Sequence, residues 1–423
     1  MNGLLPVLFS LALAGLPLFL LIAALSILGF ISADIDPVIY FAELIRLANN
    51  PALIAIPFFT LAGYILAESN APERLVRLAK AVTGNMRGGL AVIAVVILAV
   101  FTAFTGASGV TIVALGGLLL PTLLKGRYTE KFSLGLITAS GSIGLLFPPS
   151  LPLIIYGFVA ETSIDSLFIA GIVPGIIMVS GLSIYSVLTG GSVKTEKSEE
   201  PREPLLPAIK GAIWEIPLPV IIIGGIYSGF FTASEASVVT VSYLLVVECF
   251  ILRDIHLFRD LPRVIRESSV LIGGILLILG SALALTNFLV FADVPTVILG
   301  WMKGFVSSKF AFLLLLNLFL LIVGCLMDVF SALVVVVPLI LPLALEYGVD
   351  PVHLGIIFLA NLEIGYSTPP VGLNLFISSF RFQKPILDIY KAALPFLLIQ
   401  LIALALITYI PAFTLYPLQL FGK

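Results

Sequence analysis

Four short polar stretches interrupt the apolar runs of this chain, two in each half. The first half holds them at 106–109 and 140–149, and the second half at 326–331 and 361–370. Glycine and proline within them break helices, which frees backbone carbonyls and amides inside apolar surroundings. Each freed group is costly unless something meets it, and an ion or a polar solute can do so. These stretches are therefore the candidate binding chemistry of the sequence.

The helix-breaking residues recur at the same spacing in both halves. Pro121 and Pro148 lie 27 residues apart, as do Pro342 and Pro369. One offset of 221 aligns these prolines, superimposes Gly144 on Gly365, and matches the two Pro-Pro pairs. Paired interruptions at matched positions of two halves are typical of the binding site of a secondary transporter. The alternative is that they serve only as kinks and close-packing points.

The two polar stretches of the second half each contain one acidic residue, Asp328 and Glu363. Intramembrane acids are costly, so a functional role is the default interpretation. Two structural alternatives stay open. Asp328 could cap the helix predicted at 329–345, and Glu363 could pair with a basic residue on another helix.

The composition sets the class of protein. Of 423 residues, 60% are apolar and 11% are charged, with a mean hydropathy of +1.18. Soluble domains average about 45–50% apolar and about 25% charged. Soluble enzymes, nucleic-acid binders and disordered proteins are thereby excluded, and two histidines cannot build a multi-histidine metal site. An all-α polytopic membrane protein remains: a transporter, a channel, an intramembrane enzyme or a scaffold.

Three polar segments organise the chain. Residues 190–212 are rich in glycine, lysine, glutamate and proline and predict an aqueous linker between the halves. Residues 72–84 and 253–267 interleave basic and apolar residues, and each predicts an amphipathic helix at the membrane interface. Both segments are also compatible with basic loops that follow the positive-inside rule.

Several motifs, in order, resemble one family. They are residues 104–109, residues 147–152, residues 225–232 leading to Glu235, and residues 361–365 followed by 368–376. The family is the large membrane subunit of the TRAP (tripartite ATP-independent periplasmic) transporters. The resemblance extends from about residue 36 to Pro411.

The resemblance implies a fold and a function. The fold would be an inverted-repeat, elevator-type transporter with two re-entrant helical hairpins and two broken helices. The function would be sodium-coupled import of an organic acid, such as a C4-dicarboxylate or sialic acid, across a bacterial or archaeal inner membrane. The implied partners are a small four-helix membrane subunit and a periplasmic substrate-binding protein. No enzyme activity and no cofactor are expected, and Na+ is the coupling ion.

The resemblance also implies a division of the chain into six segments. N-terminal scaffold helices with an interfacial arm helix would occupy 1–87, and the first transport-domain repeat 88–189. After the linker at 190–212, scaffold helices with a second arm helix would occupy 213–310. The second transport-domain repeat would occupy 311–391 and a C-terminal helix 392–423.

The implied site residues fall at the hairpin tips and the broken helices. One sodium would be held by the first tip and the first broken helix: Thr105, Gly106, Ala107, Ser108, Gly109, Ser140, Gly141, Ser142 and Gly144. Another would be held by the second tip and the second broken helix: Met327, Asp328, Ser331, Glu363, Gly365, Thr368 and Pro369. The substrate would contact Ser108, Pro148, Pro149, Thr368, Pro369, Pro370 and Asn374.

Two rival functions are weighed against this one. The motif Gly106-Ala107-Ser108-Gly109 fits the short serine signature of rhomboid proteases, but Ser108 would need His256 or His353 as its base. Either histidine is expected instead to lie at the interface or at a helix cap. The second rival is a sodium-coupled carrier that works without a binding protein, which the repeat fits equally well.

Overall fold

The computed structural model describes residues 10–11, 15–83, 88–190 and 204–420. Every regular element within these ranges is helical, and seven helices are long and apolar enough to cross a membrane. A bent pair, 45° at its break, makes an eighth. The predicted all-α polytopic membrane fold is thereby confirmed, since helices satisfy their own backbone groups in lipid.

The first half contains α1 (Leu18–Ser32), α2 (Val38–Ala48), α3 (Ala55–Glu68), α4 (Ala71–Thr83), α5 (Gly89–Thr105), α6 (Ser108–Lys125), α7 (Glu130–Ser140), α8 (Leu151–Val159) and α9 (Ile164–Gly190). The second half contains α10 (Leu205–Gly211), α11 (Pro217–Tyr227), α12 (Ala233–Leu245), α13 (Leu261–Phe291), α14 (Val294–Lys303), α15 (Lys309–Leu326), α16 (Val329–Glu346), α17 (Pro351–Gly365), α18 (Leu373–Phe382), α19 (Ile386–Tyr409) and α20 (Ala412–Leu420).

The internal repeat extends to whole helices. The offset of 221 carries both ends of α6 onto both ends of α16, and the first residue of α7 onto the first residue of α17. It also places the first residues of α5, α8 and α9 within one residue of the first residues of α15, α18 and α19. The hairpin α5–α6 and the broken helix α7–α8 therefore have counterparts in α15–α16 and α17–α18.

The two hairpins enter the bundle from opposite ends. A Cβ on Gly126, after α6, would lie 2.8 Å from Leu90 in α5, so both ends of the first hairpin meet. In the second, Lys309 Nζ donates to the Gly348 carbonyl at 2.6 Å. Tyr156, near the end of α8, donates to the Pro351 carbonyl at the start of α17 at 2.7 Å. Since α8 ends opposite to where α7 begins, the second repeat is inverted relative to the first.

Each hairpin packs on the broken helix of the other repeat. Helix α6 lies along α18, and α16 lies along α8. A Cβ on Gly109 would lie 2.7 Å from Ile377 Cδ1, and one on Gly116 would lie 2.9 Å from Phe382. Arg381 Nε also donates to the Val113 carbonyl at 2.9 Å. The interior therefore forms only when both repeats are present.

The two ends of the bundle differ in charge. The acidic end, formed by the loops that contain residues 33–54, 160–165, 228–235, 292–309 and 346–350, holds nine acidic residues and three basic ones among the described residues. The basic end is formed by residues 68–83, 125–131, 204–216, 248–267 and 381–391. These described residues include nine acidic and fourteen basic side chains.

Helix α4 confirms the first predicted amphipathic helix up to Thr83, and residue 84 lies outside the described residues. Arg74 fastens this helix to the basic end. Its guanidinium bonds to Glu215 and Asp254, and Nη2 lies 3.1 Å from Glu248 Oε1. Removing one partner of such a nearly buried ion network is strongly destabilising.

The second predicted amphipathic helix, at 253–267, is wrong. Residues 252–260 form turns, and the helix that follows is the start of the long span α13. Asp260 accepts from the His256 amide at 3.0 Å and so favours a turn there. The offset of 221 instead places the counterpart of α4 at α14. Most of the predicted linker, 191–203, lies outside the described residues, and α10 occupies 205–211.

Candidate ion and substrate site

The first hairpin turns at Gly106, which adopts the left-handed conformation with φ of 63°. A Cβ there would lie 2.8 Å from Leu151 Cβ. Glycine is therefore required both by the backbone conformation and by the lack of space for a side chain. Beneath the turn, Thr111 Oγ1 lies 2.8 Å from Thr102 Oγ1 and 3.2 Å from Thr105 Oγ1. Thr102 Oγ1 is also 2.8 Å from the Gly141 carbonyl, which ties the first tip to the first broken helix.

The second hairpin turns at Met327 and Asp328, and Asp328 is the N-cap of α16. Its Oδ1 accepts from the amides of Phe330 and Ser331, both at 3.0 Å, and its Oδ2 accepts from the Ser331 hydroxyl. The structural alternative for Asp328, that it caps the helix that follows, is therefore observed. The carboxylate charge stabilises the start of α16, and its oxygens already have partners within the chain.

Gly144 and Gly365 bring each hairpin against the break in its own repeat's helix. A Cβ on Gly144 would lie 2.1 Å from the Ala99 carbonyl oxygen and 2.5 Å from the Ala103 amide nitrogen. A Cβ on Gly365 would lie 2.6 Å from two backbone atoms of Gly324. The matched glycines of the repeat are therefore sites of backbone-to-backbone contact.

Side chains connect the residues of the two predicted ion sites. Ser142 Oγ donates to the Glu363 carbonyl at 3.0 Å, and these two residues are related by the offset of 221. Asn374 Nδ2 lies 3.2 Å from Ser142 Oγ and 3.4 Å from the Thr138 carbonyl. The broken helices of both repeats thus meet in one polar centre.

Several buried oxygen atoms of this centre have no hydrogen-bond partner. Glu363 is fully buried, and neither of its carboxylate oxygens has one. No ion pair to Glu363 occurs within the described residues, so pairing with a basic residue is not observed. Unmet buried polar atoms cost about 1–3 kcal/mol each, more for charged groups. Four further residues of the tips and the broken helices each bury an unpartnered side-chain oxygen: Ser108 Oγ, Ser140 Oγ, Ser367 Oγ and Asn374 Oδ1.

The predicted site residues differ in exposure. The second Pro-Pro pair and Asp328 are exposed, whereas Pro148 and Pro149 are buried. Both Pro-Pro bonds are cis. Thr368 is half-buried and its hydroxyl donates to the Ile364 carbonyl at 2.9 Å. The half-buried members are Ala107, Gly109, Met327 and Thr368, and the buried members are Thr105, Gly106, Ser108, Ser140, Gly141, Ser142, Gly144, Ser331, Glu363, Gly365 and Asn374.

Sequence reasoning missed several polar residues of the centre. Thr138 Oγ1 donates to Ser378 Oγ at 2.8 Å, which links α7 to α18. Gln400 Nε2 donates to the Ala139 carbonyl at 3.0 Å. The available signal was an isolated polar residue in an apolar helix, as at Gln400 in α19, but that signal names no partner.

The histidines do not support a protease. His353 lies at a helix cap, as one alternative expected, since its amide donates to the N-cap Asp350 of α17. Its ring is buried: Nδ1 lies 2.8 Å from Thr414 Oγ1 and Nε2 lies 3.2 Å from the Thr408 carbonyl. His256 lies in the turns at the basic end, and Ser108 Oγ has no hydrogen-bond partner. No serine–histidine pair forms at the first tip.

A cavity of about 700 Å³ lies at the acidic end, apart from the polar centre. The cavity is lined by Arg46 and Pro51 on one side and by the loop between α8 and α9 on the other. Thr232 and Ser234, at the start of α12, also line it. None of the predicted site residues lines it.

Two inverted helical repeats around a buried group of unpartnered oxygens are typical of a multi-pass membrane transporter. The chain belongs to the DctM family. Residues 5–413 match the model of this family, which is described as "Tripartite ATP-independent periplasmic transporter, DctM component". It is 37% identical to the C4-dicarboxylate TRAP transporter large permease protein DctM of Pseudomonas aeruginosa, over 88% of this chain and 87% of that protein.

Two further comparisons extend the relationship. The chain is 34% identical to the isethionate TRAP transporter permease protein DctMQ of Oleidesulfovibrio alaskensis, over 97% of this chain and 66% of that protein. The crystal structure of the YdaH transporter of Alcanivorax borkumensis shares the fold, with a TM-score of 0.63 at 12% identity over 88% of this chain and 87% of that one.

Proposed function

We propose that this protein is a large permease subunit that imports an organic acid across the inner membrane, driven by sodium. The observation that carries the proposal is the unpartnered Glu363 carboxylate, buried where the two broken helices meet. A carboxylate, hydroxyls and freed carbonyls together suit a small hard cation. The membrane potential then supplies about 2.3 kcal/mol per charge per 100 mV, and the inward sodium gradient adds to it.

The substrate class and the partners rest on family membership. One relative is named for a C4-dicarboxylate and another for isethionate, and all such acids are anions. The family description names a tripartite, periplasmic system. A small four-helix membrane subunit and a periplasmic binding protein are therefore the proposed partners.

An elevator motion is the proposed mechanism. One hairpin approaches the polar centre from each end of the bundle. This arrangement supports access to the centre from either side of the membrane. The repeats carrying this centre would move as one body, since each hairpin packs on the broken helix of the other repeat.

Uptake into proteoliposomes tests the proposal. The chain is reconstituted with its small partner, and labelled organic acids are offered with an inward sodium gradient, with and without the binding protein. We expect accumulation that requires both. Accumulation with sodium alone would support the stand-alone carrier, and accumulation that ignores sodium would contradict the coupling.

The charge of the two ends predicts the orientation. Cytoplasmic loops carry an excess of lysine and arginine, so the basic end is proposed to face the cytoplasm. In a background with Cys249 and Cys325 replaced by serine, Ser228→Cys marks the acidic end and Lys210→Cys marks the basic end. We expect a membrane-impermeant maleimide added to intact cells to label Ser228→Cys alone. Labelling of Lys210→Cys alone would reverse the assignment.

A further inference from the structure

The segment from 252 to 260, where the predicted amphipathic helix is absent, lies at a membrane boundary. It joins two membrane spans, Ala233–Ile251 and Leu261–Phe291. A connection of nine residues between two spans has to stay near the end of the apolar layer. Its side chains therefore lie at the depth of the lipid headgroups.

The turn is anchored to the protein and presents an aromatic ring outward. The Ile255 amide donates to the Glu248 carbonyl at 3.2 Å, and Ile255 is 1% exposed. Phe258 is 83% exposed, and Ile265, at the start of α13, is 43% exposed. An outward phenylalanine beside basic residues is typical of an element that inserts at the headgroup boundary.

Every acidic residue between 252 and 267 is engaged within the protein. Asp254 accepts from the Asn70 amide at 3.1 Å and pairs with Arg74. Burial alone would raise the pKa of Asp254, but these bonds outweigh burial and hold that pKa below its ordinary value. Asp260 accepts from the His256 amide, and Glu267 lies 3.8 Å from Arg263.

Three arginines between residues 252 and 267 have no ion pair with these acidic residues. Arg253, Arg259 and Arg266 are exposed, and none has an ion pair among the described residues. Arg263, in contrast, pairs with Glu68. The turn and the first two turns of α13 therefore carry three guanidinium groups without an ion pair, and the turn also carries the outward phenylalanine.

We propose that Arg253, Arg259 and Arg266 form a binding site for the phosphate of an anionic phospholipid headgroup, with Phe258 in the adjoining acyl region. Guanidinium groups bind phosphate oxygens in pairs of parallel hydrogen bonds, and the low dielectric of the boundary strengthens them. The chemistry selects a phosphodiester with a net negative charge over a zwitterionic headgroup. Binding weakens as ionic strength rises.

The test uses the full chain, purified in neutral detergent and titrated with phosphatidylglycerol or phosphatidylcholine. Bound lipid is counted by mass spectrometry, and the melting temperature is followed in parallel. We expect selective retention of phosphatidylglycerol. In the triple variant Arg253→Gln, Arg259→Gln, Arg266→Gln we expect its affinity to fall roughly a hundredfold, about fivefold per arginine.

A matched control removes the same charge elsewhere on the basic end: Lys131→Gln, Lys210→Gln, Lys391→Gln. These lysines are exposed, and the control should retain phosphatidylglycerol as the wild type does. Equal loss in both triple variants, or no loss in either, would overturn the site. The single variant Arg259→Gln, with an expected fivefold loss, answers the same question if the triple variant fails to fold.

Two further arms separate a lipid from a free anion. Inorganic phosphate at millimolar concentration should neither displace phosphatidylglycerol nor raise the melting temperature, and Phe258→Ala should weaken lipid retention. Full competition by inorganic phosphate together with unchanged retention in Phe258→Ala would reduce the site to a general anion site and overturn the lipid proposal.

Discussion

Replacement of Glu363 by glutamine raises the sodium concentration for half-maximal uptake roughly 10- to 100-fold, the range of a lost charged contact of about 1.5–3 kcal/mol. The physical reason is that Glu363 is fully buried in the polar centre and its carboxylate oxygens have no hydrogen-bond partner. Glutamine keeps the size of the side chain and removes the charge. The measurement is initial uptake into proteoliposomes against external sodium.

The matched control is Glu346→Gln. Glu346 lies at the end of α16, and its half-exposed side chain pairs with Lys303 at the surface. An exposed pair contributes about 0–1 kcal/mol, so this variant should transport as the wild type does. Unchanged sodium dependence in Glu363→Gln would remove the carboxylate from the coupling mechanism. The melting temperature of Glu363→Gln should stay at or above that of the wild type, because the variant buries no charge.

Alanine at Gly144 or at Gly365 abolishes most uptake. The new Cβ at Gly144 would lie 2.1 Å from the Ala99 carbonyl oxygen, and the one at Gly365 would lie 2.6 Å from Gly324. Both obstacles are backbone atoms of a hairpin, so the hairpin has to move away from the broken helix. Overpacking of this kind costs about 1–3 kcal/mol, and it displaces the tips that line the polar centre.

Gly274→Ala is the control for these two variants, because no atom lies within 4 Å of its added Cβ and α13 should gain helix propensity. Uptake and melting temperature are measured for all three proteins at equal amounts in the membrane. Wild-type uptake by Gly144→Ala would show that the close approach of α5 to the break is not required.

The sequence could predict the internal repeat and the positions of the helix breaks, because glycine and proline mark them. The offset of 221 rests on Gly144, Gly365 and the two Pro-Pro pairs, and the structure extends it to the ends of α6 and α16. The pattern succeeded at Gly144, Gly365 and the two Pro-Pro pairs, which lie at the breaks. It was wrong at Pro121 and Pro342, which lie inside the continuous helices α6 and α16. The capping role of Asp328 was likewise accessible, since a cap involves neighbouring residues only.

The contacts that join the two halves could not be predicted from the sequence. Ser142 donates to the Glu363 carbonyl 221 residues away, and Gln400 reaches the Ala139 carbonyl. Such pairs depend on how helices pack and not on local pattern. The failure at 253–267 has a local cause, because a pattern of arginines among apolar residues fits a turn held by Asp260 as well as a helix.

The packing of each hairpin on the broken helix of the other repeat has a consequence for how the protein is synthesised. Gly109 packs against Ile377, so the partner of the first hairpin leaves the ribosome 268 residues later than the hairpin itself. At about 5–20 residues per second, the first hairpin waits roughly 13–54 s in the membrane before α18 can cover the helix face that contains Gly109 and Gly116. The insertion machinery or nearby lipids have to cover that face until translation has passed α18.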